Sequence, residues 1–166
     1  MEWFEQLDLT RELWVLLDVF VAMILGGLVG FERERQDKPA GLRTHMLIAG
    51  AANVLVFLGI SLSETSVDVM KDSIITADPI RIIQAIIVGV SFIGAGTIFK
   101  SEKGGESVKY LTTAASILFS TSIGISVALN HYVVALGITL IVLFTNYILK
   151  KLFERSRFNN DSDEGG

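Results

Sequence analysis

The chain has 166 residues, of which 51% are hydrophobic and 19% charged, and its formal net charge is −4. Its mean hydropathy of +0.53 is high for a soluble domain. The absence of cysteine excludes disulfides, thiolate metal sites and cysteine nucleophiles. The apolar residues are concentrated in segments of about 18 to 20 residues, the length that crosses a hydrocarbon core of roughly 30 Å. The composition therefore predicts an all-α integral membrane protein.

Five apolar segments predict a bundle of five transmembrane helices. The predicted spans lie at about 13–31, 43–62, 80–99, 111–129 and 132–149, within a transmembrane domain of residues 13–150. Asp78 and Pro79 supply an N-cap carboxylate and an N1 proline ahead of the third span. Residues 1–12 are too acidic for a cleaved signal peptide, so we expect a permanent periplasmic segment. Residues 151–166 are predicted to be a polar, disordered tail.

The basic residues predict the orientation of these spans. The segments that follow spans one, three and five carry 11 of the 14 lysines and arginines. Because such residues accumulate on the cytoplasmic side, the N-terminus is predicted to lie outside and the C-terminus in the cytoplasm.

An acidic residue within the first span is the first candidate for a functional group. Asp18 is predicted to lie some 9 Å below the outer boundary, a depth at which a carboxylate is costly and usually faces a protein interior or a hydrated cavity. The alternative is that the helix starts later and that Asp18 lies near the headgroups. We expect it to pair with Arg81 near the outer face. Mg²⁺ prefers oxygen ligands and keeps waters, so scattered carboxylates would suffice to bind it, and Asp18 is the first candidate ligand. The carboxylates considered are Asp18, Glu32, Glu34 and Asp78.

Polar residues on three spans predict a polar or ion path through the bundle. The alternative is that each hydroxyl bonds the preceding turn of its own helix or a neighbouring helix. The predicted path comprises Asp18, Gln84, Ser91, Thr112, Thr113 and Ser116. Small residues predict close helix packing at Gly26, Gly30, Gly94 and Gly96.

The charged segment from Gly30 to His45 is predicted to be a cytoplasmic connection between the first two helices. Glu32 and Arg35 have the i, i+3 spacing of an ion pair, and Pro39-Ala40-Gly41 predicts a turn. A self-neutralised helix hairpin is one interpretation, and a cytoplasmic gate or docking site is the other. His45 has no second histidine or carboxylate at metal-ligand spacing, so a zinc site is not favoured. The charged framework and cytoplasmic motif comprise Glu32, Arg33, Glu34, Arg43, Thr44, His45, Asp78 and Arg81.

Three stretches in this order resemble the MgtC/SapB family of bacterial inner-membrane proteins. They are Gly30-Phe31-Glu32-Arg33-Glu34-Arg35 through Pro39-Ala40-Gly41-Leu42-Arg43-Thr44-His45, Asp78-Pro79-Ile80-Arg81 through Phe92-Ile93-Gly94-Ala95-Gly96, and Leu111-Thr112-Thr113-Ala114-Ala115. The resemblance implies a five-helix domain linked to growth under magnesium limitation and, in some members, to virulence and control of the membrane ATP synthase. The chain is similar to the short SapB-like form, which lacks a C-terminal cytoplasmic domain. It has Tyr110 and Ser91 where the family pattern commonly has glycine.

Two functions follow as hypotheses. The first is magnesium or cation homeostasis in the inner membrane, with transport as one mechanism. The second is a regulatory module that binds another membrane complex, such as an ATPase, through helix faces and basic cytoplasmic loops. We expect the lipid bilayer and a second copy of the chain as partners, and no nucleic acid. The sequence has no P-loop, G-x-S-x-G, H-E-x-x-H or dinucleotide fingerprint, so we expect neither an enzyme nor a cofactor, apart from Mg²⁺ as a ligand.

Overall fold

A computed structural model describes the backbone of residues 9–69, 79–99 and 110–163, and the side chains of 9–63, 80–98 and 110–148. Predictions that concern residues 1–8, Asp78, the loop 100–109 and the side chains of the tail lie outside this part. The expected all-α class is confirmed, because the described backbone contains five helices and no strand. The helices are α1 (Leu9–Glu34), α2 (Leu42–Val69), α3 (Pro79–Phe99), α4 (Leu111–Ala128) and α5 (Tyr132–Asp163).

The helices follow the predicted spans but three of them extend beyond the apolar residues. Helix α1 includes Arg11 and Glu12 at its start and Glu32 to Glu34 at its end. Helix α5 continues to Asp163, through the segment for which disorder was expected. That segment contains no proline or glycine before Gly165, and residues such as Leu152, Glu154 and Arg155 favour the helix. The polar composition of residues 151–163 therefore did not end helix α5.

Four helices in the described part are long and apolar enough to cross a membrane. They are Leu9–Glu34, Leu42–Ser63, Ile80–Ile98 and Leu111–Ala128. The apolar part of α5, Tyr132–Ile148, is shorter, at about 25 Å for a rise of 1.5 Å per residue. A fifth crossing and the orientation of the termini stay predictions.

Helices α1, α2 and α4 form the centre of the bundle. Helix α3 packs against α4 and α2, and α5 packs against α4 and α1. The buried core consists of small and β-branched residues, including Ala22, Val29, Ala49, Ile123 and Val127. Large apolar side chains instead cover the outer faces, where Phe92 is 82% and Val133 85% exposed. An apolar surface of this extent suits contact with lipid.

Glycines set the close approach of the central helices. A Cβ at Gly26 would lie 2.7 Å from the His45 carbonyl oxygen, and one at Gly30 would lie 2.8 Å from that of Gly41. On α4, a Cβ at Gly124 would collide with the Ala49 carbonyl oxygen. Of the other glycines predicted to pack, Gly94 meets Ala114 at an ordinary distance of 3.4 Å, whereas Gly96 has open space beside it.

Candidate functional site

Hydrogen bonds at the end of α1 and at the start of α2 hold the connection between these two helices. The backbone N–H of Leu42, the first residue of α2, donates to Glu34 Oε2 at 2.7 Å. At the end of α1, the Lys38 N–H donates to the Arg33 carbonyl oxygen at 3.1 Å, and Asp37 adopts φ 53°. Glu34 thus satisfies a backbone donor that α2 cannot satisfy internally. Arg43, from the same predicted motif, is exposed.

Glu32 is the centre of a charged cluster that joins α1 to α5. The Nε of Arg33, a residue only 3% exposed, donates to Glu32 Oε2 at 2.7 Å. Gln36 Nε2 donates to the other carboxylate oxygen, and Asn146 Nδ2 of α5 donates to Oε2 at 3.2 Å. The predicted Glu32–Arg35 pair is wrong, because the Arg35 guanidinium instead lies 5.8 Å from the centroid of the Phe31 ring.

His45 is fully buried between α2 and α4. Its Nδ1 lies 2.9 Å from the Gly41 carbonyl oxygen, and its Nε2 lies 3.2 Å from Ser116 Oγ. Because a carbonyl only accepts, Nδ1 carries a proton. The Ser116 hydroxyl also lies 2.8 Å from the Thr113 carbonyl oxygen, so its single proton has two acceptors within reach when the imidazole is neutral.

Two further polar groups continue this contact along the same helices. Asn53, two turns after His45, donates through Nδ2 to the Gly124 carbonyl oxygen at 3.4 Å. Ser120 is fully buried between Ser116 and Gly124 along α4. We call His45, Asn53, Thr113, Ser116 and Ser120 the polar seam. It covers residues 113–124 of α4, a rise of about 16 Å.

Two hydroxyls of the polar seam lack the hydrogen bond that several other hydroxyls of the described helices make. Thr113 Oγ1 and Ser120 Oγ are buried and have no hydrogen-bond partner in the described structure. The side chains of Ser91, Thr97, Thr121, Ser122 and Thr139 all donate to a carbonyl three or four residues earlier in their own helix. A buried hydroxyl without a partner is costly. These two groups therefore retain hydrogen-bonding capacity inside a buried helix interface.

The structure brings only part of the predicted path together. Thr113 and Ser116 belong to the polar seam, whereas Gln84, Ser91 and Thr112 are exposed on the outside of their helices. Thr113, and not Thr112, is buried on the face of α4 that also carries Ser116 and Ser120.

Asp18 lies elsewhere, at the contact of α1 with the start of α5. Its Oδ1 accepts a hydrogen bond from the Tyr132 hydroxyl at 2.7 Å. The predicted Asp18–Arg81 pair is absent from the described side chains. Tyr132 and Asn146 are site residues that the sequence analysis missed, since the partner of each lies 114 positions away and no local spacing connects them.

The described carboxylates that were candidate Mg²⁺ ligands each accept a hydrogen bond from a different protein group. Asp18 accepts from Tyr132, Glu32 from Arg33 and Glu34 from the Leu42 N–H. Within the described residues, no group of three or more His, Asp or Glu side chains could hold a metal ion. Asp78 lies outside that part.

The fold and the site define a class: a helical membrane protein with a short polar seam in its interior and a charged cluster where α1 ends. Comparison with known proteins gives the family. Residues 19–155 match the MgtC family, and the chain belongs to it. The resemblance inferred from the three motifs is thereby confirmed.

Curated relatives agree with this assignment. Protein MgtC of Salmonella typhimurium (strain 14028s / SGSC 2262) is 34% identical over 140 residues, which cover 84% of this chain and 54% of the relative. Protein MgtC of Brucella abortus (strain 2308) is 35% identical over 141 residues, covering 82% and 52%. An uncharacterized protein of Haemophilus influenzae is 35% identical over 125 residues, covering 75% and 51%. The chain thus spans about half the length of the curated relatives it matches. No solved structure matches the chain.

Proposed function

We propose that this MgtC-family protein acts in magnesium or cation homeostasis in the bacterial inner membrane, by moving a cation along the polar seam. The observation that carries the proposal is the pair of buried, unpartnered hydroxyls of Thr113 and Ser120. Polar groups inside a membrane bundle are costly and commonly mark substrate or ion pathways. Helix packing alone does not account for them, because both hydroxyls forgo the local carbonyl bond that other hydroxyls of the bundle make.

The chemistry of the seam suits a hydrated cation. Its hydroxyls and the acceptor Nε2 of His45 are neutral, and Mg²⁺ keeps several of its waters. Those waters would donate to the neutral acceptors, and weak neutral contacts allow an ion to leave as well as enter. The carboxylates of Glu32 and Asp18 lie on α1, outside the seam.

Flux measurements with matched variants test the proposal. The purified protein is reconstituted into liposomes that contain a Mg²⁺-sensitive dye. Thr113→Val removes a buried hydroxyl at nearly constant volume, whereas Thr112→Val removes its exposed neighbour. Ser120→Ala and Ser122→Ala form a second pair on α4. If each buried hydroxyl contributes about 1.4 kcal/mol to the rate-limiting step, its loss slows flux about tenfold, while the two control variants should match the wild type.

The regulatory alternative makes the opposite prediction. A module that only binds another membrane complex would give no protein-dependent flux, and Thr113→Val would behave as Thr112→Val does. Growth of a deletion strain under low magnesium, complemented by the same four variants, separates the cases. Rescue by all four in the absence of flux would contradict transport and support regulation.

A further inference from the structure

An apolar groove lies between α2 and α3, away from the polar seam. It has a volume of about 570 Å³ and is lined by eleven residues, ten of them apolar. The exception is Arg81, near the start of α3. The apolar walls include Ala51, Leu55, Ile86, Gly89 and Ile93.

The groove is bounded by the way α3 contacts its neighbours. Near Arg81, Gly59 of α2 touches the Ile82 side chain. Toward the other end, Gly94 of α3 packs on Ala114 of α4. From Arg81 to Ile93 the groove follows α3 for about 18 Å, which is close to half of a roughly 30 Å hydrocarbon core. Its length therefore matches one leaflet of a bilayer.

The size of the groove separates two possible occupants. An α-helix with its side chains is about 10 Å across, so an 18 Å length of helix occupies roughly 1,400 Å³. The groove has less than half of that volume. A single extended hydrocarbon chain suits it better than a helix of a second copy.

Arg81 supplies the polar end of the site. It is the second residue of the span Ile80–Ile98, so its side chain reaches the headgroup level. It is exposed, and no described carboxylate pairs with it. Asp18, its predicted partner, instead accepts a hydrogen bond from Tyr132. A guanidinium offers a planar fork of donors that matches a phosphate.

We propose that this groove is a binding site for an anionic phospholipid, with one acyl chain along α2 and α3 and the phosphate on the Arg81 guanidinium. The site does not depend on the proposed transport function, because none of its lining residues belongs to the polar seam.

Native mass spectrometry of the detergent-purified protein tests this site with phosphatidylglycerol as the probe. Arg81→Gln removes the phosphate contact, and Gly89→Leu or Ala51→Leu fills the groove from either wall. Arg43→Gln and Gly96→Leu are matched controls, since Arg43 and Gly96 are exposed and neither lines the groove. A basic side chain near anionic headgroups contributes about 1 kcal/mol, so Arg81→Gln should weaken retention at least about fivefold. The filling variants should also lose the lipid, and both controls should retain it.

Two further probes identify the contact. Diacylglycerol, which lacks the phosphate, should bind the wild type as weakly as phosphatidylglycerol binds Arg81→Gln, and inorganic phosphate should not compete. Equal phosphatidylglycerol retention by all variants would overturn the proposal. So would unchanged retention in folded Gly89→Leu and Ala51→Leu proteins together with loss of a dimer, because the groove would then hold a second copy.

Discussion

His45 on α2 and Ser116 on α4 share a buried hydrogen bond of 3.2 Å across 71 positions of sequence. Gly26 and Gly30 bring α1 against His45, and Gly124 brings α4 against Ala49 of α2 farther along the same contact. Polar contacts and close backbone packing therefore act at the same interface.

Removal of the buried imidazole should destabilise the bundle. His45→Ala leaves a cavity and removes the imidazole contacts with the Gly41 carbonyl and the Ser116 hydroxyl, with an expected cost of about 2–4 kcal/mol. His131 is the other histidine of the chain and is exposed, so His131→Ala should change stability by at most about 0.5 kcal/mol. Unfolding of both variants in detergent, followed by circular dichroism, checks this. Equal effects would mean that the buried contact contributes nothing specific.

A methyl group at the α2–α4 contact should also be destabilising. In Gly124→Ala the new Cβ collides with the Ala49 carbonyl oxygen, and we expect a cost of about 1–3 kcal/mol from overpacking. Gly137 on α5 has nothing within 4 Å of an added Cβ. Gly137→Ala should therefore be neutral or stabilising by up to about 1 kcal/mol. Melting temperatures of the two variants give the comparison, and a stable Gly124→Ala protein would show that the helices can separate there.

Loss of Glu32 should leave a buried charge without its partner. Arg33 is 3% exposed and its Nε donates to Glu32, so Glu32→Ala should cost about 3–5 kcal/mol. Glu34→Ala, two residues along the same helix, removes only the bond to the Leu42 N–H and should cost about 1 kcal/mol. Denaturant titrations measure both. If the two costs were equal, Arg33 would not depend on Glu32.

A double-mutant cycle distinguishes the observed partner of Asp18 from the predicted one. Asp18→Asn and Tyr132→Phe should be non-additive, with a coupling of up to about 1 kcal/mol because the contact is exposed. Asp18→Asn and Arg81→Gln should add within about 0.3–0.5 kcal/mol. Free energies of unfolding of the single and double variants provide the two couplings. A larger coupling for Asp18 with Arg81 than for Asp18 with Tyr132 would support the predicted ion pair instead.

Tyr110 has an unfavourable backbone conformation that glycine would relieve. It precedes α4 with φ 78° and makes no side-chain cap hydrogen bond. The left-handed region costs a residue with a Cβ about 1 kcal/mol or more, so Tyr110→Gly should be stabilising by about that amount. Asn130 also has a positive φ, 60°, but asparagine tolerates this region, so Asn130→Gly should have little effect. Thermal unfolding compares the two, and a destabilised Tyr110→Gly protein would mean that the tyrosine ring contributes more than the strain costs.

The sequence determined the helices, because apolar runs of membrane length and strong boundary residues such as Pro79 act locally. The ordered motifs also determined the family. Local spacing placed His45 above Asn53 on one face of α2 and identified Gly26 and Gly30 as positions of close approach. It could not decide whether Thr112 or Thr113 faces inward, because adjacent residues on a helix differ by only about 100° and either phase fits the pattern.

Only the tertiary structure decided the pairings. Asp18 with Tyr132 and Glu32 with Asn146 each join residues 114 positions apart, and Arg81 lines the groove between α2 and α3 instead of pairing with Asp18. The physical reason is that the rotation and crossing of packed helices depend on shape complementarity between entire helix surfaces. The local sequence shows that a polar residue within an apolar helix needs a hydrogen-bond partner. Which residue becomes that partner depends on the packing of the whole bundle.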